Sequence, residues 1–145
     1  MSIKQYSVLL SRIALFIVYF WFGFLKVVGQ SPASEMVQNL LDQTMPFMPF
    51  GVFIILFGLF EMAIGILFIT PNLEKYAIGV FGLHMITTML PLFIMSEVWT
   101  NVLVPTLEGQ YVVKNLALMA CAMTIWASLP QNQPKEEKFD AIIKV

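Results

Sequence analysis

Five ionisable side chains sit inside stretches of sequence that are otherwise almost wholly apolar: Arg12, Lys26, Glu61, His84 and Lys114. A carboxylate, an imidazole and amines are the groups that move protons and hold polar ligands. In hydrocarbon each charge costs at least ~2.5–3.5 kcal/mol on insertion scales, so such positions point to function and need a partner or a water-filled cavity. Plainer accounts exist for most of them. Arg12, a few residues into its run, can snorkel to headgroups; Lys26 and Lys114 can do the same or pair with Glu97 and Glu108. His84 can be a hydrogen-bonding residue between helices. Glu61 is the hardest to explain so, because a carboxylate at mid-membrane depth must be protonated or paired.

The elements that position these groups follow from composition. Of 145 residues, 59% are hydrophobic and 12% charged, the balance of a membrane protein. Four apolar runs, residues 8–28, 50–69, 76–95 and 112–129, each come near the ~20 residues a helix needs to cross a bilayer. The expected fold is all-α, an antiparallel four-helix transmembrane bundle with a short outer interfacial helix. It occupies residues 1–130 as one domain, and residues 131–145 form a polar cytoplasmic tail. The first run is too long for a signal-peptide core and is interrupted by Lys26, so it reads as a retained helix. A net charge of −1 gives no case for nucleic acid. The single cysteine, Cys121, excludes an intrachain disulfide and a C-x-x-C redox pair, and reads as packing. The lone histidine excludes a bis-histidine haem, the methionines form no metal-binding repeat, and no metal is expected.

Orientation follows from lysine and arginine in the short loops. Lys4, Arg12, Lys75, Lys135, Lys138 and Lys144 fall on one side, whereas loops 29–49 and 96–111 contain neither residue and carry Glu35, Asp42, Glu97 and Glu108. The expected location is the plasma (inner) membrane with both termini cytoplasmic. The turn 70–75 is short and makes the second and third spans neighbours. In the first outer loop Ser31-Pro32 reads as a helix start, and Met36, Val37, Leu40 and Leu41 share one face. The second, Val98-Trp99-Thr100-Asn101-Val102-Leu103-Val104-Pro105, is apolar enough to dip back or cap the helices.

Periodicity sets which side chains meet. Arg12, Phe16, Tyr19, Gly23 and Lys26 form one stripe of the first span. In the second, Gly51, Gly58 and Gly65 recur every seven residues beside Glu61, and small residues at that spacing admit a neighbouring backbone. His84, Thr87, Thr88 and Pro91 cluster in the third, where Pro91 frees the carbonyl of Thr87. Lys114, Ala117, Cys121, Thr124 and Ser128 line the fourth. Glu61 falls roughly 16 Å inside the outer end of its helix at ~1.5 Å per residue, with His84 at a similar level and Lys26 and Lys114 above them. The expectation is a polar funnel open to the outside.

An arginine early in the first span, Trp21-Phe22-Gly23-Phe24-Leu25-Lys26 at its end, and Gly58-Leu59-Phe60-Glu61-Met62-Ala63-Ile64-Gly65 in the second together resemble the DoxX-like family of small four-helix membrane proteins. Gly109-Gln110-Tyr111-Val112-Val113-Lys114-Asn115-Leu116 is similar to that family's glycine-x-tyrosine-x-x-lysine-asparagine pattern. The resemblance runs from about Arg12 to Trp126. Arg12, Gly23, Lys26, Glu61, Lys114 and Asn115 match its recurrent positions; His84 does not. It implies quinone-linked redox chemistry, since the family takes its name from a subunit of a thiosulfate:quinone oxidoreductase.

On that footing a quinone is the expected cofactor, with a redox partner protein or a homo-oligomer as partner besides the lipid bilayer. Glu61, Lys26, Lys114 and His84 would carry the chemistry. Asn115, Arg12, Tyr19, Thr87 and Cys121 would line the ligand site. The competing expectations are a small transporter or proton pathway, and an accessory or assembly subunit whose buried charges only fix helix pairing.

Overall fold

The computed structural model describes residues 2–130; the polar tail expected at 131–145 lies outside the described residues. The chain is mostly helical, and four of its helices are long and apolar enough to cross a membrane. These are α1 (Ile3–Val27), α3 (Phe50–Ile69), the pair α4 (Glu74–Met89) and α5 (Pro91–Ile94), which together make one span, and α6 (Leu107–Ser128). By the length and composition of these helices the chain is a multi-pass membrane protein. A short helix α2 (Ser34–Thr44) precedes α3, and a two-stranded antiparallel ribbon, β1 (Trp99–Asn101) with β2 (Val104–Pro105), precedes α6.

Local chemistry sets the ends of these elements. Ser2 and Gln5 form a reciprocal capping box that starts α1 five residues before its apolar run. Gly29, at φ +72°, ends α1: its N–H and that of Gln30 close back on the carbonyls of Lys26 and Leu25. Ser31 does not start α2 as expected. Its hydroxyl accepts from the Ala33 N–H in a turn, and the helix begins at Ser34. Leu41 of α2 is buried, Met36, Val37 and Leu40 are half-buried, and Glu35, Gln38, Asn39 and Asp42 are exposed, as its amphipathic pattern requires.

Pro91 interrupts the third span, but it does not strand the Thr87 carbonyl. Leu90 stays in the right-handed helical region and its N–H closes a tighter bond to that oxygen at 3.3 Å. The loop before α6 folds down as a cap. Val98 is buried, Trp99 donates its indole N–H to the Leu92 carbonyl at 3.0 Å, and the ribbon tip exposes Val102 and Leu103. Gly109 then packs against the Val98 carbonyl so tightly that a Cβ would overlap it.

The core is a single cluster in which Leu15 and Tyr19 of α1, Ile64 and Phe68 of α3, Phe81 and Met85 of α4, and Ala122 and Ile125 of α6 interlock. The outward faces are apolar too, with Ile13, Ile17, Leu56, Leu59, Ile86 and Met123 all exposed. That is the arrangement hydrocarbon solvent demands, and it leaves the interior as the place for polar groups.

Candidate functional site

The site begins with a backbone contact between α1 and α3. A Cβ on Gly23 would stand 2.5 Å from the Gly58 carbonyl oxygen, and one on Gly58 would stand 2.6 Å from that of Gly23. One heptad on, Gly65 lies against the backbone of Phe16 and Phe20. Small residues thus remove the layer of side chains that normally separates two helices. Gly51, the third member of the expected stripe, is exposed and touches nothing, because α3 has only just begun there.

With the helices this close, the Lys26 stem passes over Gly58 and its amine reaches Glu61: Nζ to Oε2 is 2.6 Å. The other carboxylate oxygen, Oε1, lies 3.5 Å from His84 Nε2 on α4. His84 Nδ1 lies 3.1 Å from the Tyr19 hydroxyl on α1. Lys26, Glu61, His84 and Tyr19 are respectively 6%, 7%, 3% and 5% exposed. Four polar groups therefore run in series through an apolar interior. A carboxylate beside an ammonium satisfies the charge of both, and taking either partner away strands the other.

Aromatic rings fix the imidazole. Phe57 stacks on it at 5.2 Å between centroids, Tyr19 meets it edge-on at 5.3 Å, and Phe60 leans on it at 5.8 Å. Phe57 also lies 5.5 Å from the Lys26 ammonium, within cation–π range. Nδ1 and the Tyr19 hydroxyl are hydrogen-bond partners, and Nε2 faces the Glu61 carboxylate. Nε2 is nonetheless a buried ring nitrogen with no hydrogen-bond partner.

A crevice of about 90 Å³ opens beside this series, lined by Tyr19, Glu61, His84, Met85, Thr88 and Asn115 among others. It draws on α1, α3, α4 and α6. On the far side of Met85 lies a second, larger hollow of about 600 Å³ between α4, α5 and α6, lined by apolar side chains including Phe81, Met89, Phe93 and Met119. Met85 belongs to both walls.

Lys26, Glu61, His84 and Tyr19 are thus brought together, and Asn115 joins them at the crevice. Lys114 does not. It is exposed, with its ammonium over the Tyr111 ring at 4.8 Å, so the expected pair of cations above the carboxylate reduces to Lys26 alone. The buried line of α6 runs through Val112, Ala122 and Ile125, which turns Lys114 outward and Asn115 inward. Thr87 also misses the crevice. It is exposed and donates to the His84 carbonyl of its own helix at 2.7 Å, while Thr88, one helical turn beyond His84, takes the lining position. Cys121 is half-buried against the core.

Arg12 lies near the middle of α1, about four turns before Lys26. Its Nε donates to the Phe68 carbonyl at 2.8 Å and a terminal nitrogen donates to Glu74 at 2.7 Å, so it clasps the end of α3 to the start of α4 instead of snorkelling freely. Among the described residues no group of three or more His, Cys, Asp or Glu side chains gathers as a metal site.

Periodicity did not reveal Phe57 and Phe60. Their signal was available: with Glu61 they fall at i, i+3 and i+4 of one helix. No protein-family model, curated protein or solved structure matches this chain.

Proposed function

We propose that this chain is a quinone-interacting membrane subunit of the DoxX-like type. In this reading it is an antiparallel four-helix transmembrane bundle in the plasma (inner) membrane, with both termini cytoplasmic and α2 in the outer interface. The observation that carries the reading is the buried series Lys26–Glu61–His84–Tyr19, an acid–base set placed next to an apolar hollow.

Two features of the residues fit a quinone. Its carbonyl oxygens accept hydrogen bonds, and His84 Nε2 is a buried ring nitrogen with no hydrogen-bond partner, able to donate when it carries the ring proton. Its long apolar tail needs an apolar trough, which the hollow behind Met85 supplies. The crevice is small beside the ~300–1,000 Å³ of ordinary ligand pockets, so the reading puts the ring at the Met85 wall and only its polar edge toward the crevice. When bound, a quinone supplies two-electron chemistry with uptake of two protons, its electrons coming from a redox partner protein.

The chain's own part is binding and proton handling. His84 offers Nε2–H to a carbonyl oxygen, and Asn115 offers its amide from α6. Glu61 holds and releases a proton, with Lys26 fixing the carboxylate through Oε2 so that Oε1 stays turned toward the imidazole. Tyr19 holds the ring through Nδ1.

The test is equilibrium binding of a short-chain quinone to the purified protein in nanodiscs. Glu61→Gln combined with Lys26→Ala weakens binding at least ~10-fold under this reading, the loss of a charge-assisted site of ~1.4 kcal/mol or more. Unchanged affinity rejects it. The water-sized crevice favours one second reading, a proton pathway. Proton flux into liposomes that ignores Glu61→Gln rejects that one.

A further inference from the structure

The hollow between α4, α5 and α6 has a shape that packing within the chain does not explain. Its floor of Phe81, Met85 and Ala122 is buried, while its rim of Ile86, Phe93 and Met123 is exposed, so it opens on the outward face of the helices. Among the described residues that line it none is charged, so an occupant that fits is uncharged along its length. From Ile78 to Phe93 the lining follows its span for ~22 Å at ~1.5 Å per residue. About 600 Å³ spread over that length makes a channel roughly 6 Å wide, against ~10–12 Å for a helix with its side chains. The hollow therefore suits a single hydrocarbon chain.

Two further features point to an occupant. Gly82 stands inside α4, where glycine costs helix stability relative to alanine, and a Cβ added to it would meet no atom within 4 Å. Unlike Gly23 and Gly58 it admits no neighbouring backbone; its missing side chain only widens the hollow. Four of the chain's ten methionines also line the hollow, Met85 with Met89 on α4 and Met119 with Met123 on α6, each pair one turn apart. Unbranched, polarisable methionine moulds itself to a flexible occupant of irregular outline.

Length decides which chain. A phospholipid's acyl chain hangs from a headgroup and serves one leaflet, ~15 Å of the ~30 Å of hydrocarbon, whereas the hollow runs past mid-depth. An apolar cavity of ~150 Å³ holds one benzene, so about 600 Å³ has room for roughly twenty carbons or more. We propose that the hollow is a groove for one isoprenoid chain of about four units, belonging to an uncharged lipid that crosses the midplane. A prenylated quinone is one such lipid, but the groove does not rest on the quinone reading, since it recognises the chain and not the ring.

The test is native mass spectrometry of the full chain released from phosphatidylethanolamine–phosphatidylglycerol nanodiscs that contain geranylgeraniol, a four-unit isoprenoid alcohol with no quinone ring. The native chain is expected to retain the alcohol, and Gly82→Leu, which fills the hollow from α4, at least ~5-fold less. Gly79→Leu, at an equally open position of α4 outside the lining, retains as much as the native chain. If Gly82→Leu does not fold, Met123→Trp fills the hollow from α6 in its place. No retention by the native chain, or equal retention by all three, overturns the proposal. So does a phospholipid displaced in the alcohol's stead, or a dimer that both glycine variants dissociate, which would give the hollow to a second copy. Loss of quinone binding with the alcohol still retained rejects the quinone reading alone.

Discussion

Two ion pairs made by lysine or arginine join α1 to its neighbours among the described residues, Arg12–Glu74 near the middle of α1 and Lys26–Glu61 in its last turn, and they differ in what surrounds them. Arg12–Glu74 sits where α3 stops and α4 starts; its side chains keep 21% and 16% of their exposure. The guanidinium takes a carbonyl from the last turn of α3, and Glu74 occupies the first turn of α4, so both charges complement helix termini. Lys26–Glu61 differs in depth. Lys26 stands in the last turn of α1, but it reaches Glu61 in the middle of α3, at 7% and 9% side-chain exposure, and the pair adjoins an imidazole, a phenol and a crevice. A buried pair at the edge of a crevice costs desolvation that fastening does not explain, and buried intramembrane charges of this sort mark functional sites.

Breaking each pair separates the two roles. Lys26→Met, which leaves Glu61 buried alone, is expected to lower unfolding stability by ~3–5 kcal/mol, measured by denaturant titration in mixed micelles. Adding Glu61→Leu recovers most of that loss, because two apolar groups replace a desolvated pair. The contact beneath the pair is next. Gly58→Ala forces α1 and α3 apart and costs ~1–3 kcal/mol in the same titration, while Gly51→Ala, with open space around it, is neutral or gains up to ~1 kcal/mol. Arg12→Gln costs ~1–2 kcal/mol by loss of the clasp and leaves quinone affinity unchanged. Lys114→Ala, on an exposed face, stays within ~0.5 kcal/mol and also leaves affinity unchanged. A large loss of binding in either of the last two variants would erase the contrast between Lys26–Glu61 and the charges away from the crevice.

The interior of α1 and α3 was legible in the sequence because glycine spacing and charge agreed. Tyr19, Gly23 and Lys26 stand on one stripe, Gly58 and Gly65 on another, and only a close approach along both stripes brings Lys26 to Glu61. In α6 the cues conflicted. Lys114, Cys121 and Thr124 draw a polar stripe, but the helix turns Val112, Ala122 and Ile125 inward, since apolar packing outweighs a chance alignment of polar residues. Thr87 and Thr88 are adjacent, and only the buried line of Phe81 and Met85 selects Thr88. Caps and turns escaped for a different reason. The Ser2-x-x-Gln5 spacing is a cap signature that hydrophobic periodicity does not register, and the left-handed Leu103 at φ +61° belongs to backbone geometry.

On the reading proposed here the Lys26–Glu61 pair serves chemistry and not helix pairing alone. The most direct measurement compares stability and short-chain quinone affinity in Lys26→Met/Glu61→Leu. The expected outcome is a folded protein within ~1.5 kcal/mol of the native stability whose affinity has fallen at least ~10-fold. A double variant that binds quinone as tightly as the native chain would contradict it.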